Sequence, residues 1–492
     1  MLINKTWIFW IILLGTIVAI YGPRFYQEGL FADGVTYACI ARNMAIGKGS
    51  FWQPYFSSSF WLTYNTTSVF YEHPPLMFWM ESLLFRIIGD YYFVEKIYSF
   101  IIFVITGWLI VLIWNHIFKY NEWLKKLSWC AIMVWISMPE VEWSTPNNML
   151  DNTMGMFSLM SVYFMLHGFE KNNWINFILA ASSLLAAFIT KGPIGLFPLI
   201  VPVIYVVIFG IDNLKSTVIA YVSVSLIIFA FSIYLYFDKN AFSFIQTYFN
   251  QQIISALSGS REVNYKGTKI DYVFIIADQL RNGTILIFVL LGIYKFKKKS
   301  ISLEFSHPNI NLILFFILTG FSGSLPIILS AKQAGYYLIP ATPLFAIGLG
   351  IIIALLLKPF LLDIKVSEKN SIKIKWILGT IFILINLFAM SYIFKQRKNE
   401  ASLLYDIQLI KPYIHNGEKI GVCKNIMQDF NTHSNINRYL QAELTLDYLN
   451  TNISLADNNC DKKYMKLLIR NGYKRLLINS KRYIIFQKKP TI

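Results

Sequence analysis

A small set of ionisable and phenolic side chains stands out in a chain that carries few of them. Asp33 lies in "FADGVTYACIARNM" (31–44), and Glu72 and His73 lie in "YEHPP" (71–75). Asp151 lies in "NNMLDNTMG" (147–155), Lys191 in "TKGP" (190–193), and Lys332, Tyr336 and Tyr337 in "SAKQAGYYLIP" (330–340). Each motif borders an apolar run. Ionisable groups at such depth are costly and usually face a cavity. Taken singly, each has a structural explanation: an aspartate caps a helix, "KGP" makes a turn, a lysine snorkels from the end of a span. Taken together, they suit group transfer from a lipid-linked phosphate. Basic groups would stabilise a phosphate that gains charge as its bond breaks. A carboxylate would take the proton of an acceptor hydroxyl, and a second would support an oxocarbenium-like centre. Asp33 is the candidate base, with Asp151 and Glu72 as supporting acids.

The elements that must position these groups are membrane helices. Of 492 residues, 55% are hydrophobic and only 14% charged, and the mean hydropathy is +0.49. That composition cannot cover a soluble protein of this length with polar surface. The net charge of +17 is read as cytoplasmic loops obeying the positive-inside bias, not as a nucleic-acid surface. Spans are expected at 6–22, 95–118, 126–142, 152–168, 174–190, 193–210, 216–236, 271–294, 309–330, 335–357 and 376–394. A cytoplasmic N-terminus then puts three lysine clusters on the inner side: Lys119, Lys125 and Lys126; Lys295 and Lys297 to Lys299; and Lys358 to Lys375. The segment 74–89, interrupted by Glu81 and Arg86, is read as a helix lying in the outer interface. The start of the chain has no clear cleavage site and is read as a retained anchor.

This topology places the first loop (23–94), the segment around Asp151, the loop 238–270 and the C-terminal region on one outer face. Segments such as "EKIGVC" (418–423) and "YKRLLIN" (473–479) make residues 395–492 a small α/β domain, and Cys423 and Cys460 could pair there in an oxidising compartment. The expected fold is therefore an all-α polytopic membrane protein of about eleven transmembrane helices (1–394) with a small extracytoplasmic α/β domain. The region from residue 395 holds 17 Lys and Arg against 8 Asp and Glu, which suits anionic lipid, an acidic acceptor or plain solvation. The aromatic stretch 51–75 fits either stacking on a sugar or interfacial anchoring.

In order and spacing, "FADGVTYACIARNM", "EHPPLMFWM", "NNMLDNTMGMF", "TKGPIGLFP" and "AKQAGYYLIPATPLFAIGLG" resemble the aminoarabinose transferase family. That family is the lipid A-modifying branch of the GT-C glycosyltransferases, related to the protein O-mannosyltransferases. The resemblance covers roughly residues 6–394 and implies a GT-C fold. It implies an inverting transferase that moves a sugar from a polyprenyl-phosphate donor to a glycolipid (lipid A-like) or protein acceptor, at the periplasmic face of a bacterial inner membrane. Asp33 and Asp151 match the family's acids, with Gly34 standing where a second acid usually follows the first. Glu72 matches the acid before the proline pair, and His73 replaces the family's lysine, as it does in the mannosyltransferases. Lys191, Lys332 and Tyr336 or Tyr337 match positions near the polyprenyl phosphate, and Arg261 looks like the family's loop arginine. No cofactor is implied with certainty. Oxygen and nitrogen donors at Asp33, Glu72, His73 and Asp151 suit a divalent metal ion, but no ligand spacing fixes one. A glycan ligase or polymerase would share this fold. A lipid transporter would share the spans, but such proteins commonly show duplicated halves, and none is seen here.

Overall fold

The computed structural model describes residues 7–58, 68–171, 173–255, 258, 269–296, 306–330, 333–363, 368–395 and 400–488. Its elements in chain order begin with α1 (Trp7–Tyr26), α2 (Ala32–Ala45), α3 (Leu76–Ile88), α4 (Val94–Ile117), α5 (Trp129–Ile136) and α6 (Pro139–Ser144). There follow α7 (Leu150–Lys171), α8 (Trp174–Lys191), α9 (Val201–Phe209), α10 (Leu214–Phe237), α11 (Lys269–Phe296) and α12 (His307–Ser324). After α13 (Thr342–Asp363) and α14 (Glu368–Lys395) come α15 (Ala401–Ile410), β1 (Lys419–Val422), α16 (Phe430–Leu440) and β2 (Glu443–Thr445). The chain closes with β3 (Ile453–Ala456), α17 (Lys462–Arg470), β4 (Tyr473–Arg475) and β5 (Ile484–Lys488).

Two compact units result. The first gathers residues 1–26, 99–242 and 252–395, and among its described residues it is built of helices and their connections, without a strand. Seven helical segments among the described residues are long and apolar enough to cross a membrane. Their surfaces say the same. On α10, Leu226, Phe229 and Tyr236 are all exposed, and an apolar helix with bare apolar faces needs lipid around it. The segment Gly335–Pro359 is the opposite case: 94% of its apolar window is buried, so it runs through the middle of its unit. Small residues permit that. A Cβ on Gly350 would come 2.8 Å from the Ala131 backbone, so α13 approaches α5 as closely as backbones allow.

Proline breaks two of the expected spans. Residues 126–142 are not one helix: α5 stops at Ile136, Met138 is extended, and α6 begins at Pro139. Proline has no N–H to continue the ladder and drives the preceding residue out of the helical region. In the segment 193–210, Pro193 and Pro198 lie in a 3-10 stretch (Pro193–Ile200) before α9. The segment 74–89 does form a helix, α3, of 13 residues, too short to cross a bilayer.

The second unit gathers residues 27–98, 243–251 and 396–492. Its sheet has the order β2-β1-β3-β5-β4, with β1 parallel to β2 and β3, and β5 antiparallel to β3 and β4. The parallel β1–β2 pair needs a crossover, which α16 supplies. Asp429 caps α16 by accepting from the Asn431 N–H (3.2 Å). Asp406 of α15 accepts the backbone N–H groups of Lys481, Arg482 and Tyr483 at 2.6 to 2.8 Å, tying the start of the domain to its end. Cys423 and Cys460 are joined in a disulfide. Closing a loop of that 37-residue separation stabilises by about 3 to 4 kcal/mol in the chain-entropy account.

The first-loop helices pack on this domain through buried polar contacts. Thr36 of α2 bonds to Ser434 of α16 (2.6 Å), the Cys39 thiol donates to the Ser434 carbonyl (3.3 Å), and Arg42 donates to the carbonyl and Oδ1 of Asn437 (3.0 and 2.8 Å). Arg438 reaches Asp90, the Tyr91 carbonyl (2.7 Å) and Glu95 (2.9 Å). Four described aromatics of the first loop serve this unit's own packing: Trp52 and Tyr71 against Phe244, and Phe56 against Phe70 and Phe430.

Two titrating groups make this unit acid-sensitive. Burial pushes His433 down to about 4, while its Nε2 sits 2.8 Å from the Met427 carbonyl. Burial raises Asp90, but the Arg438 and Arg42 guanidinium groups outweigh that and hold it below the usual carboxylate range. Unfolded, the histidine takes a proton near pH 6.5, so the unfolded state binds more protons between there and pH 4. The stability it contributes is complete above about pH 6.5 and is lost as pH falls towards 4, roughly 3 kcal/mol in all. The Asp90 contribution goes lower still, as pH falls through its depressed folded value. Thermal unfolding of the full chain in detergent should lose stability from pH 7 to 4.5, and His433→Gln should remove most of that slope. An unchanged slope in the variant would assign the acid sensitivity elsewhere.

Candidate functional site

The first unit carries a buried ion pair at one end of an apolar helical hairpin. Asp151 occupies the first turn of α7 and Lys191 the last position of α8. Lys191 Nζ lies 2.5 Å from Asp151 Oδ2, with side chains 4% and 0% exposed. The local sequence builds both ends. Asn148, in the left-handed region (φ +53°), turns the chain into α7, and Asn152 accepts from the Ser144 hydroxyl (3.0 Å) and donates to the Ser144 carbonyl (3.0 Å). Gly192, at φ +88°, ends α8 with its N–H on the Phe188 carbonyl (2.7 Å). Gly155 lets the 3-10 segment Gly335–Ala341 come close, because a Cβ there would stand 3.0 Å from Pro340 Cα.

That 3-10 segment completes the cluster. Lys191 Nζ is 4.7 Å from the centre of the Tyr337 ring and 5.2 Å from that of Tyr336. Trp143 of α6 stacks on Tyr336 (5.9 Å between centroids). Cation, carboxylate and phenol rings therefore meet at one point.

In the second unit, Asp33 sits in the first turn of α2, where the helix dipole favours a carboxylate. Glu72 and His73 lie in the segment that leads into α3 through Pro74 and Pro75. Tyr37, one turn beyond Asp33, sets its ring edge-on to His73 (5.9 Å) and packs on Phe78 of α3 (5.6 Å). The motifs of the first loop thus share one corner of their unit. Lys332 and Arg261 lie outside the described residues. Among the described residues, the three-donor group with metal-like spacing is Cys423, Asp457 and Cys460, whose two thiols are committed to the disulfide.

Sequence reasoning passed over Glu140, Tyr272 and Gln279 in the first unit. Glu140 lay inside an expected span, and the proline break that frees it is visible only as the "MPE" triplet. Gln279 Oε1 accepts the Glu140 N–H at 2.9 Å, and burial, then Asp151 and Asp278, push the Glu140 carboxyl up to about 7.

Removing one member of a buried pair strands the other, at about 3 to 5 kcal/mol. Lys191→Met should therefore lower the melting temperature of the detergent-solubilised chain, and adding Asp151→Asn should recover part of the loss. Identical melting of the single and double variants would show that the pair contributes nothing to stability.

Residues 72–237, about a third of the chain, match the dolichyl-phosphate-mannose-protein mannosyltransferase family. No curated protein is similar to the chain in sequence. In three dimensions the chain is similar to ArnT from Cupriavidus metallidurans in the apo state, at 12% identity and a TM-score of 0.65, over 99% of this chain and 100% of that one. The same enzyme bound to undecaprenyl phosphate gives 12% identity and a TM-score of 0.58, over 98% of each chain. The apo oligosaccharyltransferase of Archaeoglobus fulgidus gives 11% and 0.52, over 91% of this chain and 69% of that one. At such identities the likeness speaks for architecture alone, and it agrees with the seven apolar spans among the described residues and the small C-terminal sheet: the chain is a multi-pass membrane protein with the fold of ArnT.

Proposed function

We propose that this protein is an inverting glycosyltransferase that moves a single hexosyl or pentosyl unit from a polyprenyl-phosphate donor to a glycolipid or protein acceptor. The observation that carries the reading is the buried Lys191–Asp151 pair walled by Tyr336 and Tyr337, within a fold shared with a protein solved bound to undecaprenyl phosphate. In this reading the lipid phosphate is received by Lys191 and the tyrosines. Asp151 is a positioning residue that acts through Lys191: full burial and a 2.5 Å contact commit it to the lysine. Asp33 takes the proton of the acceptor hydroxyl as the oxygen attacks the anomeric carbon. The bond from that carbon to the phosphate oxygen breaks on the opposite face, so configuration inverts in one displacement. The family resemblance adds Glu72 as a supporting acid and His73, Arg261 and Lys332 as substrate-binding groups.

The sidedness belongs to the same proposal. The Cys423–Cys460 disulfide supports an oxidising compartment around the C-terminal domain. The lysine-rich connectors support a cytoplasmic N-terminus, which puts the site and the C-terminus on the periplasmic face of an inner membrane.

Losing a general base typically costs 10²- to 10⁴-fold in rate, so Asp33→Asn should lower transfer by about 10²-fold or more. The donor should accumulate, and one glycolipid or glycoprotein should lose one sugar, read by mass spectrometry of cells that carry the variant. Full activity in both Asp33→Asn and Asp151→Asn, at normal membrane levels, would remove the acid–base account.

A further inference from the structure

One carboxylate in the first unit has no assigned work. Glu140 of α6 is half-buried, and among the described residues no hydrogen bond or ion pair reaches its carboxyl oxygens. The structure nevertheless holds it in place. Gln279, itself buried, fixes its backbone N–H, and the carboxyl lies directly over Gly335, where an added Cβ would stand 1.8 Å from Oε1. Gly335 opens the same 3-10 segment that carries Tyr336 and Tyr337 to Lys191. Glu140 is therefore seated beside the cation–phenol cluster by a glycine that leaves room for it. An independent feature points to the same place. The Tyr272 hydroxyl of α11 is fully buried with no partner among the described residues, packs in one cluster with Tyr337, and lies within electrostatic reach of Asp151 and Glu140. A buried, unused donor is expected where a ligand supplies the acceptor.

Charge decides what Glu140 can do there. Lys191 is already neutralised by Asp151. On α11, Asp278 is paired with Arg281 (2.6 Å), and on α6 itself Glu142 is paired with Arg24 (2.6 Å). Among the described residues, an ionised Glu140 would leave the cluster net negative and repel a phosphate. A protonated one leaves it neutral and adds a donor.

We propose that Glu140 is a further catalytic residue on the phosphate side, acting as an acid. This rests on the transferase reading above. In its protonated form it donates a hydrogen bond to a non-bridging oxygen of the donor phosphodiester, with the Tyr272 hydroxyl as a second donor. As the bond from the anomeric carbon to oxygen breaks, the electron pair stays on the phosphate oxygen. The resulting monoester dianion takes the Glu140 proton and leaves as the monoanion. The acceptor's own proton has gone to Asp33, which releases it to water, and Glu140 regains a proton from water once the lipid phosphate departs, so the cycle closes with no net proton change.

The test is binding of polyprenyl phosphate, with polyprenol as the control, to the full chain in lipid nanodiscs between pH 6 and 8. Glutamine keeps a neutral donor at position 140, so it separates the proton from the side chain. A group titrating near 7 goes from mostly protonated to mostly ionised across that range, which weakens phosphate binding about tenfold in the wild type relative to Glu140→Gln. The probe's own ionisation is common to both proteins and cancels in the ratio. Glu140→Ala should bind more weakly than Glu140→Gln at pH 6. A wild-type to Glu140→Gln ratio that stays flat, with phosphate still preferred over polyprenol, would overturn the role of Glu140 alone. No preference for the phosphate over polyprenol would overturn the transferase reading beneath it as well.

Discussion

The candidate site of the first unit is arranged around a lysine ammonium that is almost wholly buried. Lys191 ends a helix whose other polar groups are few, and its charge is met by Asp151 at the start of the preceding helix. Two such groups leave water together or not at all, because an unpaired buried charge costs several kcal/mol. Their pairing sets how α7 and α8 stack, and the glycines at 155 and 192 permit the close turn that brings the 3-10 segment over them. Apolar packing of similar volume would hold that hairpin equally well. The retention of two charges at this depth is thus better understood through what they meet than through the stability they supply.

Much of the architecture was legible before any coordinates. Hydropathy finds the long spans because an apolar helix without a polar face has only lipid or core to lie against. Alternation and turn residues find the C-terminal α/β domain, and the observed β1 and β4 fall on "EKIGVC" and "YKRLLIN". The proline breaks were harder. Pro139 sits in an apolar run that a hydropathy window reads through, although its missing N–H ends the helix one turn from Glu140. Short 3-10 pieces such as Gly335–Ala341 hide in the same way, since their composition is that of the helix they precede.

The site was legible as residue types and illegible as pairs. That Asp151 and Lys191 stand out follows from counting charges near apolar ends. That they neutralise each other depends on a 40-residue return of the chain that no local pattern encodes. The sequence reads Asp151 as a supporting acid, and the structure adds that it is paired with Lys191. Glu140 was invisible for the converse reason. Its sequence neighbours place it inside an apolar run, and only the glycine 195 residues later shows where it rests.

The C-terminal region shows how a segment with no motif can still matter to a motif. Its helix α16 meets α2 at Thr36, Cys39 and Arg42, positions three apart that share one face of α2. Asp33 lies three residues before Thr36 in the first turn of the same helix. The Arg438 guanidinium, buried and shared among Asp90, Tyr91 and Glu95, locks α16 to the segment that joins α3 to α4. Lost rotamer freedom at α2 is therefore paid for by a domain more than three hundred residues away in sequence. A carboxylate asked to meet an acceptor oxygen must be held to a fraction of an ångström, and a loop between two spans could not do this alone. Whatever Asp33 does, its backbone is placed by the hydrogen bonds of α16, so the domain acts on the first loop as a mould acts on a casting.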